Sequence, residues 1–279
     1  MKRENNKYLW RFLILSISFS FLIRLIFLLQ IPMIETDGVF YATLGRRLIS
    51  TCPWEGIDAY WPPFYPFLIG VFSFIFKDLE FSGRIVSAVL GSLLLLPAFF
   101  LIREIFQEKV ARLSVILMVF HPRLMMFSQE VLSEITYTCL VVAGIFTALV
   151  GFQRRKLQFF FFSGLIFGLS YLTRPEGFLI YILLSLWILC FCGFIWRMEK
   201  IKISRGLRFA VFSAGFLIFA FPYLLFVRKE LGYWSISEKS GYNFYVSFSS
   251  EYEKYGLAPP VVQTSHQESR EVAIKSDKT

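Results

Sequence analysis

Apolar residues in this chain gather into long unbroken runs, and polar residues collect in short clusters between them. A helix needs roughly 20 apolar residues to cross a bilayer core, and in hydrocarbon it satisfies its own backbone groups. The period-2 alternation of a membrane barrel is absent. The first run covers residues 9–33 and follows Lys2, Arg3, Lys7 and Arg11. It is too long for a secretory leader and no small-residue cleavage site follows it, so it is predicted to be an uncleaved first helix. Six further runs fit as spans: 84–101, 110–120 with some extension, 131–152, 157–172, 178–196 and 207–227. The predicted fold class is all-α and integral to a membrane, with about seven transmembrane helices.

The stretch 34–83 interrupts this pattern. Within it Asp37, Tyr41, Leu44 and Leu48 share one helical face and Arg46 points the other way, which predicts an amphipathic helix at the interface, ending before Pro53. Residues 64–76 are apolar but number about 13, short for a span, and follow a Pro-Pro pair; they are predicted to form a second interfacial helix. The expected organisation is a membrane domain over 1–227 and an outer-side polar tail over 228–279, partly disordered or truncated.

Composition agrees with the pattern: 56% hydrophobic residues, 34 Phe and a mean hydropathy of +0.59 exceed what a water-soluble chain can cover. The net charge of +9 is scattered rather than gathered on one patch, which argues against nucleic acid as a partner. Arg103, Lys109 and Arg112 form one basic cluster, Arg154, Arg155 and Lys156 a second, and Arg197, Lys200, Lys202, Arg205 and Arg208 a third. All three fall on the cytoplasmic side if the N-terminus does, provided 64–76 does not cross. The loop from Ile34 and the C-terminus then lie outside. Cys139, Cys190 and Cys192 sit in apolar runs as packing residues, and Cys52 is alone in the loop. Arg24 is costly inside the first span, and snorkelling toward the interface is the expected relief. Gly164 and Gly168, four residues apart, are expected to permit close helix packing.

Three polar segments meet the outer side in this topology: the first loop, residues 121–134 (HPRLMMFSQEVLSE) and residues 173–177 (TRPEG). They carry Asp37, Glu55, Asp58, Glu130, Glu134 and Glu176 against Arg46, Arg47, Arg84, Arg123 and Arg174. Ionisable groups converging at span ends mark a functional site by default. The residues leave alternatives open. Asp37 after Thr36 is placed to cap its helix. Glu130 and Glu134, one helical turn apart, are positioned to ligate a divalent ion or to cap the following span. His121 precedes Pro122 and is expected to end a helix. Tyr60, Trp61, Phe64 and Tyr65 read first as an interfacial aromatic belt and second as a surface for sugar stacking.

The order ETDGVFY, YWPPFYPFL, RIVSAVLGSLLLLPAF, HPRLMMFSQEVLSE and YLTRPEG resembles that of the GT-C glycosyltransferases, which include protein O-mannosyltransferases and lipid A aminoarabinose transferases. The resemblance covers roughly residues 22–181. It implies transfer of a sugar from a polyprenyl-phosphate donor to a protein, lipid or glycan acceptor on the outer side, with inversion. It also implies an acidic base in the first outer loop, which is Asp37 here. The chemistry suits these residues. A carboxylate can take the acceptor's proton and favours an oxocarbenium-like transition state, and arginine forks match a departing phosphate. Arg174 and Arg47 are preferred for the phosphate, then Arg46 and Arg84, with Arg123 a further candidate; Glu55, Tyr41 and Tyr60 are expected to touch the acceptor or another part of the substrate. No particular cofactor is implied, and a divalent cation is left open. A bacterial plasma membrane is expected, with the active face outside the cytosol. The family normally continues through more spans, so a short or truncated member is the expectation. Apart from Arg24 the spans are nearly free of charge and no repeat relates two halves, which disfavours the alternative of a transporter or flippase subunit. An inactive scaffold is the other alternative.

Overall fold

The computed structural model describes residues 2–30, 34–191 and 204–239, and every described element is helical. In chain order these are α1 (Lys2–Leu28), α2 (Thr36–Leu48), a 3-10 turn (Pro53–Gly56), α3 (Phe64–Phe76), α4 (Leu79–Leu93), α5 (Leu95–Ile105) and α6 (Glu108–Val119). They are followed by α7 (Pro122–Phe127), α8 (Glu134–Arg154), α9 (Leu157–Tyr171), α10 (Glu176–Leu186) and α11 (Arg205–Leu231). Four stretches are long and apolar enough to cross a membrane: Lys7–Leu28, Leu79–Ile105, Glu134–Arg154 and Arg205–Leu231. Three shorter apolar helices accompany them, at Phe64–Phe76, Leu157–Tyr171 and Glu176–Cys190. The outward surface is greasy: Leu15 is 69% exposed, Phe74 70% and Ile75 71%. Such a face is compatible with lipid as the surrounding solvent, and the chain is an integral membrane protein of the all-α class.

Helix boundaries follow local chemistry. Asp78 caps α4 by accepting the Phe81 N–H at 2.6 Å. The span therefore begins at Leu79, several residues before the predicted end of the loop, because Asp78 and Glu80 belong to a helix start rather than to a solvated connection. Pro97 lacks the N–H that would reach back to Leu93, and the helix is divided at Leu94 between α4 and α5. The 12 residues of α6 amount to about 18 Å, and the anticipated extension is replaced by the separate helix α7. Helix α11 continues to Leu231 and closes on Gly232 at φ 78. The predicted tail from residue 240, and Arg197, Lys200, Lys202 and Cys192, lie outside the described residues.

Packing uses small residues at the close approaches. Among the described residues the most extensive pairing is α9 on α11. A Cβ on Gly164 would collide with the Phe212 carbonyl oxygen, and one on Gly215 with that of Phe161. The anticipated role of Gly164 is therefore met, with Gly215 of α11 as the reciprocal notch. Phe160, Phe167, Tyr171, Phe212 and Phe216 fill the space around this contact. In a separate cluster Leu13, Leu95, Phe99 and Val115 join α1, α5 and α6.

Arg24 does not snorkel. Its side chain is fully buried and turns back one helical turn, donating to the backbone oxygen of Ser20 at 3.2 Å and to the Ser20 hydroxyl. It packs beside Gly91 of α4, where the missing Cβ leaves room. Arg208, counted above among loop charges, is also buried, and lies over the Phe152 and Phe160 rings at 5.7 and 5.9 Å.

Candidate active site

The site is built on an aromatic block that holds α2 across α3 and α4. Tyr41 packs edge-on against Trp61 at 5.0 Å and Tyr65 at 5.1 Å, and Trp61 stacks on Phe40. Trp61 and Tyr65 are buried, so these two are core residues rather than an interfacial belt. The reason is that Tyr65 finds partners inside: its hydroxyl shares a 2.9 Å hydrogen bond with Ser87 of α4 and donates to the Gly83 carbonyl at 3.3 Å. The rest of the first loop is tied to other helices. Asp58 accepts the N–H groups of Tyr60 and Trp61 at 2.8 Å each, which makes it a turn residue. Tyr223 of α11 donates to the Asp58 carbonyl at 2.9 Å, and the Phe64 N–H to the Leu172 carbonyl at 2.8 Å.

On this support three distant segments meet. The buried Tyr41 hydroxyl shares a 2.9 Å hydrogen bond with Ser133, just before α8. Arg174, from the turn between α9 and α10, donates to the same Ser133 oxygen at 3.5 Å and pairs with Glu134 at 2.5 Å. Its remaining nitrogens reach Glu176 at 3.4 Å. Asp37 lies one turn before Tyr41 on the same helical side. Burial pushes the Tyr41 hydroxyl above its ordinary range, the Ser133 hydrogen bond opposes that, and the charges of Arg174, Glu134 and Asp37 all reach it. Burial alone would lower the Arg174 pKa, but Glu134 and Glu176 outweigh it and hold the guanidinium above its ordinary value. Arg174 is thus a permanently charged fork.

Asp37 is not the helix cap. Glu35 occupies that position without a side-chain cap bond, and Asp37 stands in the first turn, where the helix dipole favours a carboxylate. Arg84 is buried, pairs with Glu80 at 2.6 Å and donates to the Leu28 carbonyl at 3.0 Å, which fastens α4 to the end of α1. Glu130 lies nearby. Burial first, then the charges of Glu35 and Glu134, raise its pKa, and Arg84 opposes them. One oxygen each of Glu130 and Glu134 is buried without a hydrogen bond among the described residues. No three His, Cys, Asp or Glu side chains among the described residues are gathered closely enough to hold a metal ion.

The other predicted residues lie off the cluster of Arg174, Ser133 and Glu134. Arg46 is exposed on the opposite side of α2, about 14 Å along the axis from Asp37, and Arg47 is half-buried at the same helix end. Glu55 is exposed on the 3-10 turn, and the half-buried Tyr60 packs edge-on against Trp61 at 4.9 Å. His121 caps α7, accepting the Leu124 N–H at 3.4 Å, and the exposed Arg123 lies over Phe127. Ser133 is the site residue that sequence reasoning missed. Its one signal is adjacency to Glu134 at a helix start.

Within α8, Glu134 and Arg154 stand at opposite ends, about 30 Å apart. The acidic site therefore occupies one end of the long helices. The clusters at Arg103–Arg112 and Arg154–Lys156 occupy the other. Such a site offers a carboxylate for proton transfer and a fixed cation for an anionic leaving group.

A family model for dolichyl-phosphate-mannose-protein mannosyltransferases matches residues 61–226, well over half of the chain. Arg84, Glu130, Ser133, Glu134 and Arg174 fall inside the matched region, and Asp37 precedes it. No curated protein matches the chain.

Proposed function

Because the chain belongs to the dolichyl-phosphate-mannose-protein mannosyltransferase family, membrane glycosyltransferases of the GT-C type, we propose that it transfers a sugar from a polyprenyl-phosphate carrier to an acceptor hydroxyl. The observation that carries this reading is the convergence of Arg174 on Ser133 and Glu134, with Ser133 bound to Tyr41 one turn from Asp37. Asp37 takes the proton of the acceptor hydroxyl as its oxygen forms a bond to the anomeric carbon. The bond from that carbon to the carrier phosphate breaks, and the phosphate leaves with the electron pair. One displacement inverts the anomeric carbon. Phosphate is a good leaving group, so the reaction needs a base and cationic stabilisation more than a second, acidic carboxyl.

Arg174 is the phosphate ligand in this reading and Arg84 a positioning residue. The two carboxylates on Arg174 differ. Glu134 binds at 2.5 Å, whereas the half-exposed Glu176 binds at 3.4 Å. The incoming phosphate displaces Glu176, and Glu134 keeps the fork aimed. The reaction takes place on the non-cytoplasmic face, a placement supported by the basic clusters at the opposite helix ends. The shorter helices α6, α9 and α10 complete the seven crossings in this scheme.

The test uses the full chain in lipid nanodiscs with labelled polyprenyl-phosphate sugars, following donor binding and loss of sugar from the lipid. Wild type binds and turns over. Asp37→Asn binds but loses turnover by on the order of 10²–10⁴-fold, the usual contribution of a general base. Arg174→Ala weakens donor binding. Turnover by Asp37→Asn at the wild-type rate removes Asp37 from the mechanism, and absence of binding across the panel overturns the donor assignment.

A further inference from the structure

On the side of α2 away from Asp37, a cleft of about 640 Å³ opens between α2, the end of α3 and the start of α4. That size falls in the range of small-ligand pockets, roughly 300–1,000 Å³. Four ionisable side chains line it: Arg46, Lys77, Asp78 and Glu80. Both acids are already engaged. Asp78 accepts the Phe81 N–H that starts α4, and Glu80 holds Arg84 at 2.6 Å. The side chains of Arg46 and Lys77 make no ion pair or hydrogen bond with another described residue. The cleft therefore presents two cations that have no partner among the described residues. Lys77 also has a left-handed backbone, φ 58, where glycine is favoured, so a lysine stands there against the local preference.

The surroundings place this charge beside lipid. The last residues of α3, Phe74, Ile75 and Phe76, are exposed and apolar, and the Leu79–Ile105 span begins at the rim of the cleft. Ile34 and Leu79 add apolar wall to the cleft. Paired arginine and lysine suit phosphate oxygens, the arginine as a planar fork and the lysine as a compact point charge.

We propose that this cleft binds the headgroup phosphate of an anionic glycerophospholipid. Arg46 and Lys77 hold the phosphate oxygens, and the acyl chains leave along the apolar face of α3. The proposal rests on the membrane fold and not on the role of Asp37, so the two fail independently.

Native mass spectrometry of the detergent-solubilised full chain, titrated with phosphatidylglycerol and separately with phosphatidylcholine, tests it. Phosphatidylglycerol is expected to bind the more tightly, and the R46Q/K77Q pair to weaken it roughly tenfold to thirtyfold, as loss of two exposed ion pairs implies. The charge-keeping pair R46K/K77R retains binding, which separates lost charge from lost structure. Asp37→Asn, on the far side of α2, also retains it. Equal binding of the two lipids, or a R46Q/K77Q variant that binds like wild type, overturns the proposal. Displacement of phosphatidylglycerol by millimolar inorganic phosphate makes the cleft a free-anion site, and displacement by equimolar polyprenyl phosphate makes it a carrier site; either result overturns the phospholipid assignment.

Discussion

Glu130 and Glu176 show how two carboxylates in one acidic site take different tasks. Glu130 has a pKa above its ordinary 4.5, from burial first and then from Glu35 and Glu134, so its ionised form is disfavoured in the folded chain. In the unfolded chain it titrates at the ordinary value. Stability is therefore greatest below the unfolded pKa and is lost as pH rises through the folded one. Glu130→Gln is expected to raise the thermal midpoint in detergent near about pH 7 and to have no effect near about pH 3, where the carboxyl is protonated in both states. A gain independent of pH would show that the charge of Glu130 is not the cause. Glu176 acts on its neighbour instead. Half-exposed ion pairs contribute about 0–1 kcal/mol, so removing this competitor from Arg174 frees the fork for a donor phosphate. Glu176→Gln is expected to tighten donor binding by up to about fivefold, measured as a dissociation constant in nanodiscs. Weaker binding would mean that Glu176 orients Arg174 rather than competing for it.

Among the elements, α9 carries the geometry of the site, because the turn after it delivers Arg174. Its position depends on Gly164 and Gly215, which let the α9 and α11 backbones approach. Gly164→Leu forces side-chain atoms against the Phe212 carbonyl and is expected to destabilise by about 1–3 kcal/mol or more, as overpacking does. Thermal unfolding in detergent measures this. Donor binding should weaken in the same variant, since Arg174 moves with the helix. A stable variant with weak donor binding would show that α9 shifts without loss of the fold. Gly206, with no atom near its missing Cβ, is the control: Gly206→Ala is expected to change neither property.

For the whole molecule the testable property is orientation. Cys52 is exposed in the first loop, and Arg155 is exposed in the turn between α8 and α9, at the opposite end of α8 from Glu134. A membrane-impermeant thiol reagent added to intact cells should label Cys52. It should label Arg155→Cys, in a chain whose other cysteines are serine, only after the membrane is opened. The reverse pattern would place the site on the cytoplasmic face and remove the outer-face reading, leaving the fold as it is.

Sequence alone determined the helical class, the long spans, the bounds of α3 and the GT-C resemblance, because unbroken apolar runs and Pro, Asp and Gly signals act locally. It also singled out Asp37, Glu134 and Arg174. Tertiary structure alone decided that Ser133 joins Tyr41 to Arg174, that Trp61 and Tyr65 are core, that Arg24 turns inward and that Arg46 faces a separate cleft. The physical reason is common to all four. A helix in lipid is apolar on most faces, so hydrophobic periodicity does not tell its buried side from its outer side. Which polar groups meet is set by contacts between segments as far apart as Tyr41 and Arg174, and those contacts depend on packing rather than on neighbours in the chain.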